Sequence, residues 1–373
     1  MNAQAHHPAG SPPDAMSAAA ASSAPTSAHD SQLIALLGAQ RSPRQIDFLL
    51  RALHVPSCTL RPAGAATVSR LELAQALNML LFEKLLQDVP YADAYVADAM
   101  TAGKRMHFDH GALRTVLANH TGLLPAGEAA ITRILRPLGY VQNGLYPLER
   151  LRMTGRAYAH ADAPEDIAQF FVSELHADRF SPEFQHVVDQ VIGTSVDPLG
   201  ADAKALLAQL EAQRELPLAA AGELLPVLLS AFDRQHDLPT IAQYERLREE
   251  SAEMAWIATE GNVFNHATDR VPDVEALAER QRALGRPMKD KVEVSRNGRV
   301  RQTAYRACTV LRPMRDEHGV VIEKTVPGSF YEFISRDRYV DEQGVERLDL
   351  SFDSGNAQGI FKMTANSTGA GGM

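Results

Sequence analysis

Cysteine is nearly absent: the 373-residue chain holds two, Cys58 and Cys308. Two thiols allow at most one bridge and cannot build a thiolate zinc site. Basic charge is short as well, with 37 Lys and Arg against 46 Asp and Glu and a formal charge of −9. A net acidic chain without a long basic run argues against nucleic acid as a partner. Long apolar runs are missing too. The longest, Leu224 to Phe232, is about half of the ~18 residues a membrane span needs, which argues against a membrane-embedded protein. Residues 1 to 30 lack both a charged start and a continuous apolar core, so they do not read as a secretory signal. Their Ala/Ser/Pro composition reads as a disordered tail, and residues 366–373 as a second flexible end. What the chain does have is histidine, thirteen in all. A metal in such a protein must be held by nitrogen and oxygen. The composition fits a cytoplasmic protein.

Hydrophobic periodicity divides the rest. Residues 31–103 read as a helical segment. Ser42-Pro43-Arg44-Gln45 forms a capping-box opening, and a second helix runs from Ser69 through Leu86 with Leu73, Leu77, Leu80 and Leu81 on one stripe. Residues 104–184 carry short strands (Phe108 to Val116, Tyr140 to Tyr146, Arg156 to His160, Gln169 to His176) and a helix over 127–138, with Asn143-Gly144 as a hairpin turn. Residues 185–258 return to helix. Residues 259–365 are again strand-rich, with hairpins at Asn297-Gly298, His318-Gly319 and Gln343-Gly344.

The two strand-rich blocks open alike. Phe108-Asp109-His110, Val116, a helix and Leu138-Gly139 in the first match Phe264-Asn265-His266, Val271, a helix and Leu284-Gly285 in the second. A β-α-β-β-β unit used twice resembles the vicinal oxygen chelate superfamily. That resemblance implies an α+β fold whose paired βαβββ modules curl into a half-open barrel around one metal. Here the modules would be joined to an N-terminal and an inserted helical segment.

His110 and His266 occupy matching positions of the two units. Each alone could be a satisfied core histidine; the repeat brings both to one cavity. On an extended strand His110, Ala112 and Arg114 share a face. Glu332, in Phe330-Tyr331-Glu332-Phe333-Ile334, is either an exposed-face residue or a carboxylate buried beside a cation, since burial without one neutralises it. With two histidines it would complete a two-His-one-carboxylate set. His160 and His176 are competitors, while His107 lies on the opposite face from His110. Asp109 and Asn265 read as strand-end residues rather than ligands. Arg270, Lys324 and Arg336 are weaker alternatives to Arg114 for binding an anion. The Phe330–Ile334 run and Phe361 read as apolar walls, and the turn-rich stretch 352–361 as a cover.

Asp109-His110-Gly111-Ala112-Leu113-Arg114-Thr115-Val116, then Gly261-Asn262-x-Phe264-Asn265-His266-x-Thr268, then Phe330-Tyr331-Glu332-Phe333 together resemble the 2-oxoadipate dioxygenase/decarboxylase (hydroxyglutarate synthase) family over roughly residues 40–365. The resemblance implies that His110, His266 and Glu332 bind Fe(II) and are catalytic, and that Arg114 binds substrate. It also implies a reaction in lysine catabolism in which 2-oxoadipate, or a close 2-oxo dicarboxylate, and O2 give 2-hydroxyglutarate and CO2. Two other readings keep the fold: a metal-dependent isomerase or lyase, and a non-enzymatic small-ligand-binding protein.

Overall fold

The computed structural model describes residues 28–355. Of the expected tails, residues 28–30 form a 3-10 turn; the remainder of 1–30 and all of 366–373 lie outside the described residues. The N-terminal segment folds as α1 (Gln32–Leu37), α2 (Pro43–Ala52), the short strand β1 (Thr67–Ser69), α3 (Arg70–Asp88) and α4 (Pro90–Thr101). The Ser42–Gln45 capping box opens α2 as the sequence predicts, and a second box, Ser69 with Glu72, opens α3. The α3 helix is buried on nearly all sides rather than along one stripe. It packs against α1 and a later helix, Leu218–Ser230, and its Phe82 packs against Phe108 and Tyr331.

The first strand-rich block gives β2 (Phe108–Leu117), α5 (Ala129–Leu135), β3 (Tyr140–Leu148), β4 (Met153–His160) and β5 (Gln169–His176). Five helices follow, α6 (Pro182–Ile192), α7 (Ala201–Gln213), α8 (Leu218–Ser230), α9 (Ile241–Glu250) and α10 (Ala252–Glu260). Between α7 and α8, β6 (Glu215–Pro217) pairs with β1. The second block gives β7 (His266–Arg270), α11 (Val274–Ala283), β8 (Glu293–Val294), β9 (Val300–Ala304), β10 (Thr309–Arg315), β11 (Val321–Pro327), β12 (Phe330–Arg336), β13 (Arg338–Val340) and β14 (Glu346–Leu348). Among the described residues no helix is long and apolar enough to cross a membrane.

One eight-stranded sheet spans both blocks in the order β3-β4-β5-β2-β7-β12-β9-β8. In the first half β5 runs parallel to β2, and β4 and β3 follow antiparallel. In the second half β12 runs parallel to β7, and β9 and β8 follow antiparallel. The order is therefore palindromic about the antiparallel β2–β7 seam. This is the expected pair of βαβββ modules, with the β10–β11 hairpin inserted before the last strand of the second. Gly139 and Gly285, the repeated helix stops, both have positive φ, a backbone state that glycine enters without a Cβ clash.

Both faces of the sheet are covered. Leu113 and Tyr331 join the core made with the N-terminal helices, while Ala112, Val116 and Phe171 join a second core with α6, α9 and α10.

The three second-block hairpins form where expected: Asn297-Gly298 joins β8 to β9, His318-Gly319 joins β10 to β11, and Gln343-Gly344 joins β13 to β14. Asn143-Gly144 does not form a hairpin. It lies inside β3 at a register shift between Gln142 and Gly144. The chain reverses instead at Glu149–Leu151, with Arg152 left-handed. Space rather than a turn explains this glycine, since a Cβ there would lie 2.3 Å from the Tyr146 hydroxyl.

Candidate metal centre and substrate cavity

The seam places the two repeated histidines together. In the β2–β7 register, His110 faces Thr268 and Ala112 faces His266. Residue 111 is glycine at this seam because the Phe264 ring lies over it, where a Cβ would come within 2.2 Å. Asn265 ties the seam on both sides, its N–H donating to the Ala112 carbonyl and its carbonyl accepting from the Phe330 N–H. On β12, Glu332 lies opposite Thr268 of β7.

His110, His266 and Glu332 converge, each buried, with one candidate ligand atom apiece within 4.8 Å of one another. Glu332 Oε2 is 3.2 Å from His110 Nε2 and 3.4 Å from His266 Nε2. The Thr268 hydroxyl donates to Glu332 Oε2 at 2.8 Å and lies 3.1 Å from His110 Nε2. Glu332 Oε1 and His266 Nδ1 are buried with no hydrogen-bond partner among the described residues. Ligands at right angles on an ion with ~2.1 Å bonds sit about 3 Å apart, so this donor set fits a first-row divalent cation. An orphaned carboxylate oxygen beside two imidazoles is what such a cation would satisfy.

Protonation follows the same geometry. Burial pushes the His266 imidazole down to about 3, leaving it neutral and able to ligate. Burial alone would raise Glu332, but His266, His110 and Thr268 outweigh it and hold the carboxyl below its usual range. For His110, burial opposes charge, yet Asp109 and Glu332 prevail and raise it. A cation entering the site would therefore displace a proton.

Asp109 does more than hold a strand end. A register irregularity between Phe108 and His110 lets consecutive side chains meet, and Asp109 Oδ1 accepts from His110 Nδ1 at 2.8 Å. Arg336 grips the same carboxylate through Nε and Nη2 at 2.8–3.1 Å. A carboxylate on the remote nitrogen fixes the ring's tautomer and orientation, leaving Nε2 toward the metal position. Arg336 is thus committed to Asp109 rather than to an anion. Lys324 pairs with Glu245, and Arg270 donates to the Glu165 carbonyl. The competing histidines lie elsewhere. His160 packs on Tyr140, His176 bonds Thr154, and His107 stacks on His54.

A pocket with about 390 Å³ of empty space, part of it open to solvent, lies over the three residues. Ala112, Phe171 and Phe352 supply apolar wall, and Ser173, Asn265 and Gln302 supply neutral polar groups. Phe171 has structural meaning. By register it occupies in the first module the position that Glu332 holds in the second. Three of four related positions carry ligating groups and the fourth is apolar. Asp353 also lines the cavity, in the stretch expected to cover it; Phe361 lies outside the described residues.

Arg114 shares the His110 face of β2, as alternation predicts. Yet it does not border the cavity. Its side chain is fully buried, with Nη2 2.7 Å from Glu253 Oε2 of α10 and the guanidinium 4.5 Å over the Trp256 ring. Asp109, Thr268 and Gln302 stand at the candidate site without sequence reasoning having singled them out for it, and Arg336, expected only as an alternative anion binder, acts there through Asp109.

Two βαβββ modules sharing a sheet, with ligating groups meeting at their seam, define a protein of vicinal oxygen chelate type. Comparisons narrow this. The family model described as 2-oxoadipate dioxygenase/decarboxylase matches residues 78–365, and the chain belongs to that family. A rice (Oryza sativa subsp. japonica) chloroplastic/amyloplastic 2-oxoadipate dioxygenase/decarboxylase is 24% identical over 290 residues, 71% of each chain. A glyoxalase superfamily protein from Ralstonia eutropha JMP134 is 54% identical with a TM-score of 0.82, covering 87% of this chain and 98% of that one. The rice hydroxyglutarate synthase in complex with 2-oxoadipate shares the fold, with a TM-score of 0.60 and 20% identity, covering 82% of this chain and 97% of that one.

Proposed function

We propose that this protein is an Fe(II)-dependent dioxygenase that converts 2-oxoadipate and O2 into 2-hydroxyglutarate and CO2, a step of lysine catabolism in the cytoplasm. The observation that carries the reading is the convergence of His110, His266 and Glu332 at the floor of the cavity, with an apolar residue in the fourth related position. His110, His266 and Glu332 would hold the iron, which would supply the reduction of oxygen when bound.

The chain's own residues do the rest. The neutral donors of Asn265 and Gln302 line the space that a 2-oxo acid headgroup would fill. Arg114, further along the same strand face, is the group to receive the far carboxylate in a planar, two-bond contact. Phe171 and Phe352 exclude water from the reacting carbon. Asp109 keeps the His110 ring oriented throughout, and Arg336 keeps Asp109 charged. Substrate and O2 together hold every atom of the two products, so no second organic substrate enters.

The test is anaerobic loading with Fe(II), then a panel of 2-oxo acids assayed for O2 uptake, CO2 release and product. Uptake coupled to CO2 with a 2-oxo dicarboxylate is the expected result. Turnover without oxygen, or with a redox-inert metal, would replace the reading with an isomerase or lyase.

A further inference from the structure

We infer that Glu253 is a built-in stand-in for the ligand's far carboxylate, holding Arg114 charged and folded away until a dicarboxylate displaces it. The inference rests on the proposed substrate class and adds to it a residue that sets selectivity.

The argument begins with where the pair sits. Arg114 belongs to the cavity-facing row of β2, after His110 and Ala112, both of which line the cavity. Its register partner on β5 is Ser173, which also lines the cavity. The cavity therefore reaches the level of Arg114 on the neighbouring strand, while the guanidinium is turned toward α10. The Arg114 and Glu253 side chains are 0% and 4% exposed. Burial prevails on both, lowering the guanidinium and raising the carboxyl, and each partner's charge offsets part of that.

A buried pair of this kind is weak as a stabilising device, because desolvation offsets most of the attraction. Removing one partner is costly, because the other is left charged without compensation. An arginine that must wait in a dry site for a carboxylate thus needs an interim one. Trp256 completes the arrangement: its ring face, 4.5 Å from the guanidinium carbon, receives the cation without competing for its N–H donors. Ligands that bring a far carboxylate can exchange with Glu253 at little electrostatic cost. Ligands that lack one leave the internal pair intact and gain nothing from Arg114. Discrimination between the two classes then depends on how firmly Glu253 competes.

Replacing Glu253 by Gln tests this. Fe(II)-loaded protein is titrated calorimetrically under nitrogen with 2-oxoadipate and with 2-oxohexanoate, which lacks the far carboxylate. With the competing carboxylate gone, E253Q is expected to bind 2-oxoadipate about tenfold more tightly than the wild type, with 2-oxohexanoate changed less than about twofold. The melting temperature of ligand-free E253Q falls, and its rise on adding 2-oxoadipate exceeds that of the wild type. Glu253→Asp, which keeps the charge but draws it back, gives an intermediate gain and serves if E253Q fails to fold.

Weaker or unchanged 2-oxoadipate binding in both variants overturns the inference, since a residue that merely positions Arg114 would give that sign. If wild-type protein ignores 2-oxoadipate, the function proposed above is what has failed. The melting shifts are then read with acetate, succinate, glutarate and adipate. A larger shift in E253Q than in wild type for any of them supports displacement; no such difference overturns it.

Discussion

Arg336 and Asp109 form a bidentate ion pair in which the side chains are 0% and 1% exposed, and the same carboxylate accepts the Nδ1 proton of His110. The arginine comes from the last strand of the second module and the aspartate from the first strand of the first. Its other donors reach the carbonyls of Asp349 and Ser351. One histidine of the candidate metal centre is therefore oriented from the opposite half of the sheet.

Asp109→Asn should weaken metal binding by about 10–100-fold while His110, His266 and Glu332 remain in place. It should also lower stability by roughly 3–5 kcal/mol, since Arg336 is left buried without its counter-charge. Chelator competition reads the first quantity and urea unfolding the second. Unchanged metal affinity would reduce Asp109 to a strand clamp.

Arg114→Lys keeps the positive charge but loses the planar pair of donors. The expected effect is a fall of about a hundredfold in kcat/KM for 2-oxoadipate, with less than about threefold change for 2-oxohexanoate. Oxygen-uptake kinetics with both acids decide it. Equal losses for the two would place Arg114 outside substrate recognition.

Gly111→Ala should destabilise the protein by about 1–3 kcal/mol, because the new methyl group meets the Phe264 ring and shifts the segment that leads into β7. Metal affinity should fall with it, since the two histidines stand on either side of that contact. A thermal melt and a metal titration are sufficient. Full metal affinity in the variant would show that the seam spacing is not what holds the histidines together.

His236 is buried with its Nε2 donating to the Ala258 carbonyl, and burial pushes it down to about 4 from the ordinary 6.5. Burial does the same to His160, also to about 4. An unfolded chain takes up a proton at each near pH 6.5, whereas the folded chain resists until about pH 4. The stability that depends on this is fully present above pH 6.5 and is lost as pH falls from 6.5 toward 4. The loss is on the order of 3 kcal/mol for each histidine. Urea midpoints at pH 7.5 and 5 should therefore drop less in His236→Gln than in the wild type. Parallel drops would mean that His236 is not a source of the acid sensitivity.

Much of this architecture is legible in the sequence, for reasons that can be named. The repeated Phe-(Asp/Asn)-His openings and their glycine stops mark two equivalent units, and strand alternation places Arg114 on the His110 face. Strand alternation alone leaves Glu332 free to face solvent or core, and the register puts it opposite Thr268. What stayed hidden depends on three-dimensional register. Adjacent residues on a regular strand point apart, so the Asp109–His110 contact exists only because of a local irregularity. Glu253 is 139 positions from Arg114 along the chain, on a helix whose sequence reads as ordinary packing. Asn143-Gly144 carries a turn signature but uses its glycine to admit Tyr146.

The palindromic sheet has one further consequence. His110 lies on one side of its midline and His266 and Glu332 on the other, so an ion held by all three is a cross-link between the halves of a duplication. Pulling the modules apart would empty the site, and filling the site opposes pulling them apart. By linkage, an ion at a hundred times its dissociation constant adds about 2.7 kcal/mol to stability. A centre proposed for chemistry would at the same time be a rivet across the seam between the two modules.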